Sequence, residues 1–227
     1  MKVRQRVQLQ PAFLLHRRPF REASVIAEFL SRDHGRVALV VRGGRGQASR
    51  RCLDVFAPLL VSWSARGELG TLTAVESSGP ATRLAQIAVF SAYYANELLL
   101  RMVHKGEPVS DLYRAYGSML KSLAAGTSEA LALRLFEKRL LQGLGYGADL
   151  SREWHSDCPV DPSGLYRISP EQGPERVPAG VADGQVFPGS SLLALDREEL
   201  SDADSLRDAR RLLRIWLDYY LEGRPLR

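Results

Sequence analysis

A small β-barrel joined to a helical bundle, an α+β fold of more than one domain, is predicted by three features of the sequence. Five short apolar runs, most with a period of two, precede residue 80. After Gly79-Pro80 the period becomes that of a helix. From Trp154 to Gly189 the chain holds six of its 12 prolines and five glycines, with no helical pattern. These changes set the expected boundaries at 1–79 for the barrel, 80–153 with 190–227 for the helical domain, and 154–189 for an irregular, partly exposed insertion.

Each element follows from its local pattern. Gln10 to Leu15 reads as the first strand. Ser24 to Leu30 is the second, with Val25, Ala27 and Phe29 on one face. Ser31 to Gly35 turns into a third run, Arg36 to Val41, in which Val37, Leu39 and Val41 align. Pro58 starts a fourth, Leu59 to Trp63, and Arg66-Gly67-Glu68 turns into the fifth, Leu69 to Glu76. Five strands, hairpin turns and one long loop fit a Greek-key barrel, of which the oligonucleotide-binding barrel is the common five-stranded form. A first helix is predicted over Arg83 to Val103, with Leu84, Ile87, Ala88, Phe90, Tyr94, Leu98 and Met102 as its stripe. Ser110 is the expected N-cap of a second, through Leu112, Tyr116, Leu120 and Leu123. Ser128 opens a third, with Ala130, Leu133, Phe136, Leu140, Leu141 and Leu144 as its stripe, stopped by Gly143, Gly145 and Gly147. Short connections make a bundle the natural packing. Helical signals return at Ser191 to Leu200 and from Asp204 to Leu221, where Leu206, Ala209, Leu213, Trp216 and Tyr220 form one face and Arg207, Arg210, Arg211 and Arg214 the other.

Charge narrows the function. The first 51 residues hold 12 Lys or Arg against three acids, a balance of +9 in a chain whose total is +5. The remainder is therefore net acidic, and one basic module facing a polyanion is the arrangement expected of a nucleic-acid binder. A membrane surface would also attract that charge, but no amphipathic helix sets large apolar residues opposite the arginines. No apolar run reaches the roughly 20 residues needed to span a bilayer. Two cysteines, Cys52 and Cys158, are too few for a secreted disulfide scaffold, so a reducing cytoplasm is expected.

The most concentrated basic segment is VVRGGRGQASRR, Val40 to Arg51. It has no lysine, which a Walker loop requires, and Ser49 stands where a dinucleotide fingerprint needs its third glycine. What remains is Arg42, Arg45, Arg50 and Arg51 among three glycines, a finger able to lie along phosphate. Taken alone, one basic run of this kind reads better as a solvated loop with incidental charge. Arg17, Arg18 and Arg21 at the first turn, with Arg36, form a second cluster, and a barrel would bring the two together. Phe20, Phe29 and Trp63 are interleaved aromatics, with Phe29 assigned to the core. Arg207, Arg210, Arg211 and Arg214 make a further candidate DNA surface.

Catalytic and metal readings lack support. His16, His34, His104 and His155 have no acid or nucleophile at motif spacing, Cys52 has no partner base, and Glu198-Glu199 with Asp202 and Asp204 read as a solvated face and a cap. His155-x-x-Cys158 is half of a zinc site without its other half, so neither metal nor cofactor is expected. No carboxylate cluster suits two-metal phosphoryl transfer. A protein-interaction adaptor whose barrel contacts an acidic partner is the rival reading.

The ordered set Phe13-Leu-Leu-His-Arg-Arg-Pro-Phe-Arg-Glu-Ala-Ser24, Gly35-Arg-Val-Ala-Leu-Val-Val-Arg-Gly-Gly-Arg45, Pro58-Leu-Leu, Gly70-Thr-Leu, Tyr94-Ala-Asn-Glu-Leu-Leu99, Leu133-Arg-Leu-Phe-Glu137 and Leu144-Gly-Tyr-Gly147 resembles the bacterial DNA repair protein RecO family, from about residue 10 to Leu226. The resemblance implies an N-terminal oligonucleotide-binding barrel, a helical domain and a zinc-finger-like insertion. It implies binding of single- and double-stranded DNA, annealing, and action with RecR to help RecA displace single-stranded-DNA-binding protein (SSB), whose acidic tail is gripped. Many members carry four cysteines in the insertion, where only Cys158 stands here. Relatives commonly continue with a basic segment beyond the position of Leu226, so contacts from such a tail are expected to be absent. Arg134 matches the family's tail-binding region, with Leu140 and Tyr116 as walls; alternatively Arg134 is an ordinary surface residue of an amphipathic helix.

Overall fold

A computed structural model describes residues 5–43, 53–80, 82–181 and 184–222. The chain divides into two compact units between Thr127 and Ser128, with the first two helices in the same unit as the barrel.

The first unit begins with five strands, β1 (Gln5–Phe20), β2 (Ser24–Ser31), β3 (Gly35–Val41), β4 (Pro58–Ala65) and β5 (Leu69–Ser77), which close into a barrel in the order β1-β2-β3-β5-β4. The β3–β5 pair is parallel and the others are antiparallel. Val25, Ala27 and Phe29 do share the interior face, with Leu39, Val41, Leu59, Val61 and Trp63. Trp63, expected among the aromatics available to nucleic acid, is a core residue with His34 edge-on at 5.2 Å. β1 is far longer than Gln10 to Leu15 because it hydrogen-bonds on both sides, to β4 early and to β2 late. Its polar ends lack apolar alternation. The ladder with β4 is interrupted by an irregularity at Leu9, whose φ is 47° and whose N–H donates to Ser62 Oγ at 3.0 Å.

Two helices cover one outer side of the barrel, α1 (Gln86–Met102) and α2 (Ser110–Ala124). This is why β2 read as mixed in polarity: Ile26 and Leu30, out of step with the interior set, are buried as well. Phe13 on β1 meets the rings of Tyr113 and Tyr116 at 5.0 and 5.1 Å. Asn96 donates to the Leu15 carbonyl at 2.9 Å and accepts from the Tyr116 hydroxyl at 2.5 Å, so a buried polar relay fixes both helices to β1. The stripe expected of α1 needs correction. Ala88, Leu98 and Met102 are buried as expected, but Ile87 and Phe90 are 71% and 76% exposed, and Ala92, Ala95 and Leu99 complete the buried side. Small side chains on that stripe let the helix lie close. Ser110 begins α2 but does not cap it through its side chain.

The loop between α1 and α2 closes one end of the barrel. Lys105 bridges to Gly35 and Arg36, and Gly106 N–H donates to the Arg36 carbonyl at 3.1 Å. Gly35 has φ +60°, and a Cβ there would lie 1.8 Å from the Glu107 carbonyl oxygen. Both the left-handed backbone and the close approach require glycine. Gly35→Ala is expected to destabilise the protein by about 3 kcal/mol or more, read from the shift of its urea midpoint at constant slope.

The second unit contains α3 (Glu129–Gly143), a sheet of β6 (Leu165–Ser169), β7 (Gly173–Val177) and β8 (Val186–Pro188), then α4 (Gly189–Asp196) and α5 (Ala203–Tyr220). Ser128 caps α3, accepting the Leu131 N–H at 3.3 Å, and α3 ends at Gly143 as its glycines predict. Asp202 caps α5, accepting from the N–H groups of Asp204 and Ser205. The segment 154–189 is not irregular: its three strands form an antiparallel sheet in the order β7-β6-β8. The prolines that hid it, Pro174 and Pro188, lie on the outer strands, where a missing N–H costs no ladder bond. The central strand alternates, and its Tyr166 and Ile168 are fully buried.

Candidate nucleic-acid interface

Strand register decides which arginines come together. Pro19 on β1 pairs with Val25 on β2, and Val25 pairs with Val41 on β3. These three positions form one row across neighbouring strands, about 10 Å from first to last. Arg18 and Arg21 flank the β1 end of that row, and Arg42 is one residue past its β3 end. All three are exposed. Arg18, Arg21 and Arg42 therefore share one rim of the barrel. The turn that bears Arg21 is tight: Phe20 pairs with Ser24, Arg21 takes φ 52°, and its guanidinium lies 5.1 Å from the Phe20 ring centre. Phe20 is the one of the three aromatics picked from sequence that lies at this rim. Arg45, Arg50 and Arg51 lie outside the described residues; the described chain leaves this rim at Gly43.

Other candidates are placed differently. Arg17 and Arg18 are on strand β1, not in the turn, and adjacent strand residues point to opposite faces, so the two cannot serve one surface equally. Arg36 belongs to the other end of the barrel, opposite Leu30. It donates from Nε to the Val103 carbonyl at 2.9 Å and lies 3.7 Å from the Glu28 carboxylate, which Lys105 approaches to 4.0 Å. Arg36 is thus a brace between barrel and helices, and its assignment to DNA is corrected. Sequence reasoning missed Glu28 and Lys105 as its partners because only the folded chain brings the α1–α2 loop against β3.

On α5, Arg207 pairs with Asp204 at 2.8 Å and Arg214 with Asp218 at 3.6 Å, one helical turn away in each case. Arg211 is exposed but engaged within its own unit: it pairs with Asp208 at 3.3 Å, donates to the Val186 carbonyl at 2.6 Å, and sits 4.4 Å from the centre of the Phe187 ring. Arg210 is exposed.

The tail-binding trio also moves indoors. Tyr116 and Leu140 are completely buried, and they lie in different units. Arg134 is buried and donates to Glu137 at 2.8 Å, one turn further along α3. Its Nε has no hydrogen-bond partner among the described residues. Neither the exposed-surface reading nor the pocket-mouth reading fits a guanidinium committed to an almost wholly buried carboxylate. The next residues of α3 tie it to the end of α4: half-buried Arg139 forms a paired contact with Glu198, and buried Lys138 donates to the Asp196 carbonyl at 2.5 Å. The Arg139 hydrogen bond holds the Glu198 carboxyl below the usual glutamate range.

Among the described residues no three His, Cys, Asp or Glu side chains converge as a metal site would need. No helix there is long and apolar enough to cross a membrane. A closed five-stranded ring of this order, with cationic side chains gathered on one rim, defines an oligonucleotide-binding-type barrel. Comparison with known proteins agrees. The family model for the recombination protein O N terminal matches residues 6–81, and that for the recombination protein O C terminal matches 86–227. The chain is 41% identical to the DNA repair protein RecO of Dechloromonas aromatica over 100% of its length and 95% of the relative's. It is 44% identical to RecO of Alkalilimnicola ehrlichii, covering 97% and 89%, and 41% identical to RecO of Coxiella burnetii, covering 98% and 96%. The chain belongs to the RecO family, and its role lies in DNA repair and recombination.

Proposed function

We propose that this protein is a non-catalytic recombination mediator that binds single- and double-stranded DNA through the phosphate backbone and anneals complementary strands. The observation that carries the reading is the shared barrel rim of Arg18, Arg21 and Arg42, in the N-terminal segment that holds the chain's excess positive charge. Guanidinium groups neutralise phosphates without choosing bases, and neutralising two strands together lowers the repulsion that opposes pairing. Annealing then needs no reacting group, because base pairing supplies the driving force. In the cell this activity would operate in the cytoplasm at the nucleoid, with RecR, helping RecA onto strands coated by SSB.

Fluorescence anisotropy with labelled single strands of unrelated sequence, measured over a range of salt, tests the proposal. Binding to every sequence with affinity falling steeply as salt rises supports it. Salt-independent or absent binding, with an acidic protein captured instead, would turn the assignment to an adaptor.

A further inference from the structure

The second unit holds a cavity of about 460 Å³ that the DNA reading does not use. It lies within the roughly 300–1,000 Å³ typical of small-ligand sites. The glycine-rich turn after α3, the Arg152–Asp157 stretch, the β6–β7 turn and the end of α5 enclose it. Two features describe its chemistry independently. First, it is aromatic: Tyr146 and Tyr220 stack at 4.1 Å with planes 13° apart, and Trp154 is 53% exposed although most large side chains of the unit are buried. Second, it is negative. Four carboxylates line it, Asp149, Glu153, Asp157 and Glu171, against one guanidinium, Arg152.

That guanidinium is already committed, to Asp157 at 3.3 Å. The other three carboxylates are organised by neutral donors. Asp149 accepts from the Ser151 hydroxyl and N–H at 2.6 and 2.8 Å, Glu153 from the Ser156 hydroxyl at 2.6 Å, and Glu171 from the Tyr219 hydroxyl at 2.6 Å. None of the three has an ion-pair partner among the described residues. The Ser151 contacts hold Asp149 below the usual carboxylate range, so it stays ionised at neutral pH. Four carboxylates against one guanidinium leave a net negative charge, which beside an exposed indole repels phosphate and attracts a planar cation.

We propose that this cavity receives an arginine side chain from a basic segment of a partner protein, with the guanidinium over the Trp154 indole and its N–H groups directed to Asp149 and Glu171. Arginine suits it better than lysine because a planar fork can stack on a ring and still donate to two carboxylates. The proposal does not depend on DNA binding at the barrel, and the two can fail separately.

The test uses the full chain labelled with ¹⁵N and the capped tripeptide acetyl-Gly-Arg-Gly-amide, compared with its neutral citrulline counterpart. The arginine peptide is expected to shift the Trp154 indole resonance and the amides of Gly145 and Gly147, and the citrulline peptide to leave them in place. Asp149→Asn with Glu171→Gln is expected to weaken the arginine response by about tenfold or more while the rest of the spectrum and the DNA affinity stay unchanged. Equal responses to the two peptides, or none up to about 10 mM, overturn the proposal. A short oligothymidylate that shifts the same resonances overturns it in favour of a nucleic-acid site.

Discussion

Arg18, Arg21 and Arg42 changed together to alanine are expected to lower affinity for single-stranded DNA by about a hundredfold at low salt, and to do so for every sequence alike. The magnitude comes from counterion release: each phosphate contact removed on a single strand takes about 0.7 from the slope of log affinity against log salt, so three contacts take about 2. Affinity of wild type and variant should therefore converge as salt rises. The three positions are exposed and outside the barrel core, so the variant should unfold at nearly the same urea concentration as wild type. Arg36→Ala is the informative contrast. Arg36 is engaged by the Val103 carbonyl and by Glu28, so its loss should reduce stability and leave the salt slope of DNA binding near that of wild type.

Arg134→Glu is expected to cost about 3–5 kcal/mol of stability in the second unit, and to show first as loss of soluble protein. Arg134 and Glu137 are one turn apart on α3, both buried, and joined at 2.8 Å. The substitution removes the cation and places a second carboxylate beside the first, where water cannot screen either. Replacing both residues by well-packed apolar side chains should restore much of the loss, because the penalty lies in leaving one charge without its partner. Chemical denaturation of the single and double variants separates these outcomes. A fully folded Arg134→Glu protein would show that the pair opens to solvent at little cost, and would return Arg134 to consideration as a surface group.

The barrel was legible in the sequence because its signal is local. Alternation in Ser24–Leu30 and Arg36–Val41, and the turns at Ser31–Gly35 and Arg66–Glu68, report on residues a few positions apart. The α3 and α5 limits were legible for the same reason, in Ser128, Asp202 and the glycines after Leu141. What periodicity could not report is which side of an element meets which neighbour. Ile87 and Phe90 fit an apolar stripe on α1, yet an alanine stripe on the same helix faces inward. Arg36 and Arg134 look alike in sequence, each an arginine beside apolar residues. Their fates follow from a carboxylate eight positions back across a strand pair and one three positions ahead along a helix, each enclosed by packing. The sheet within 154–189 was obscured because strands of three to five residues with proline at the edges carry too little pattern to stand apart from loop. The candidate rim was legible as a pair of basic clusters. Its composition was not, since only the strand register separates Arg18, Arg21 and Arg42 from Arg36.

Photocrosslinking of a 4-thiothymidine-containing strand to the full chain, followed by mapping of the attached peptides, tests the central claim most directly. Crosslinks concentrated on Pro19–Glu22 and on the residues following Val41, lost when the three rim arginines become alanine, are the predicted result. Crosslinks confined to α5, or to the Arg36 end of the barrel, would contradict it.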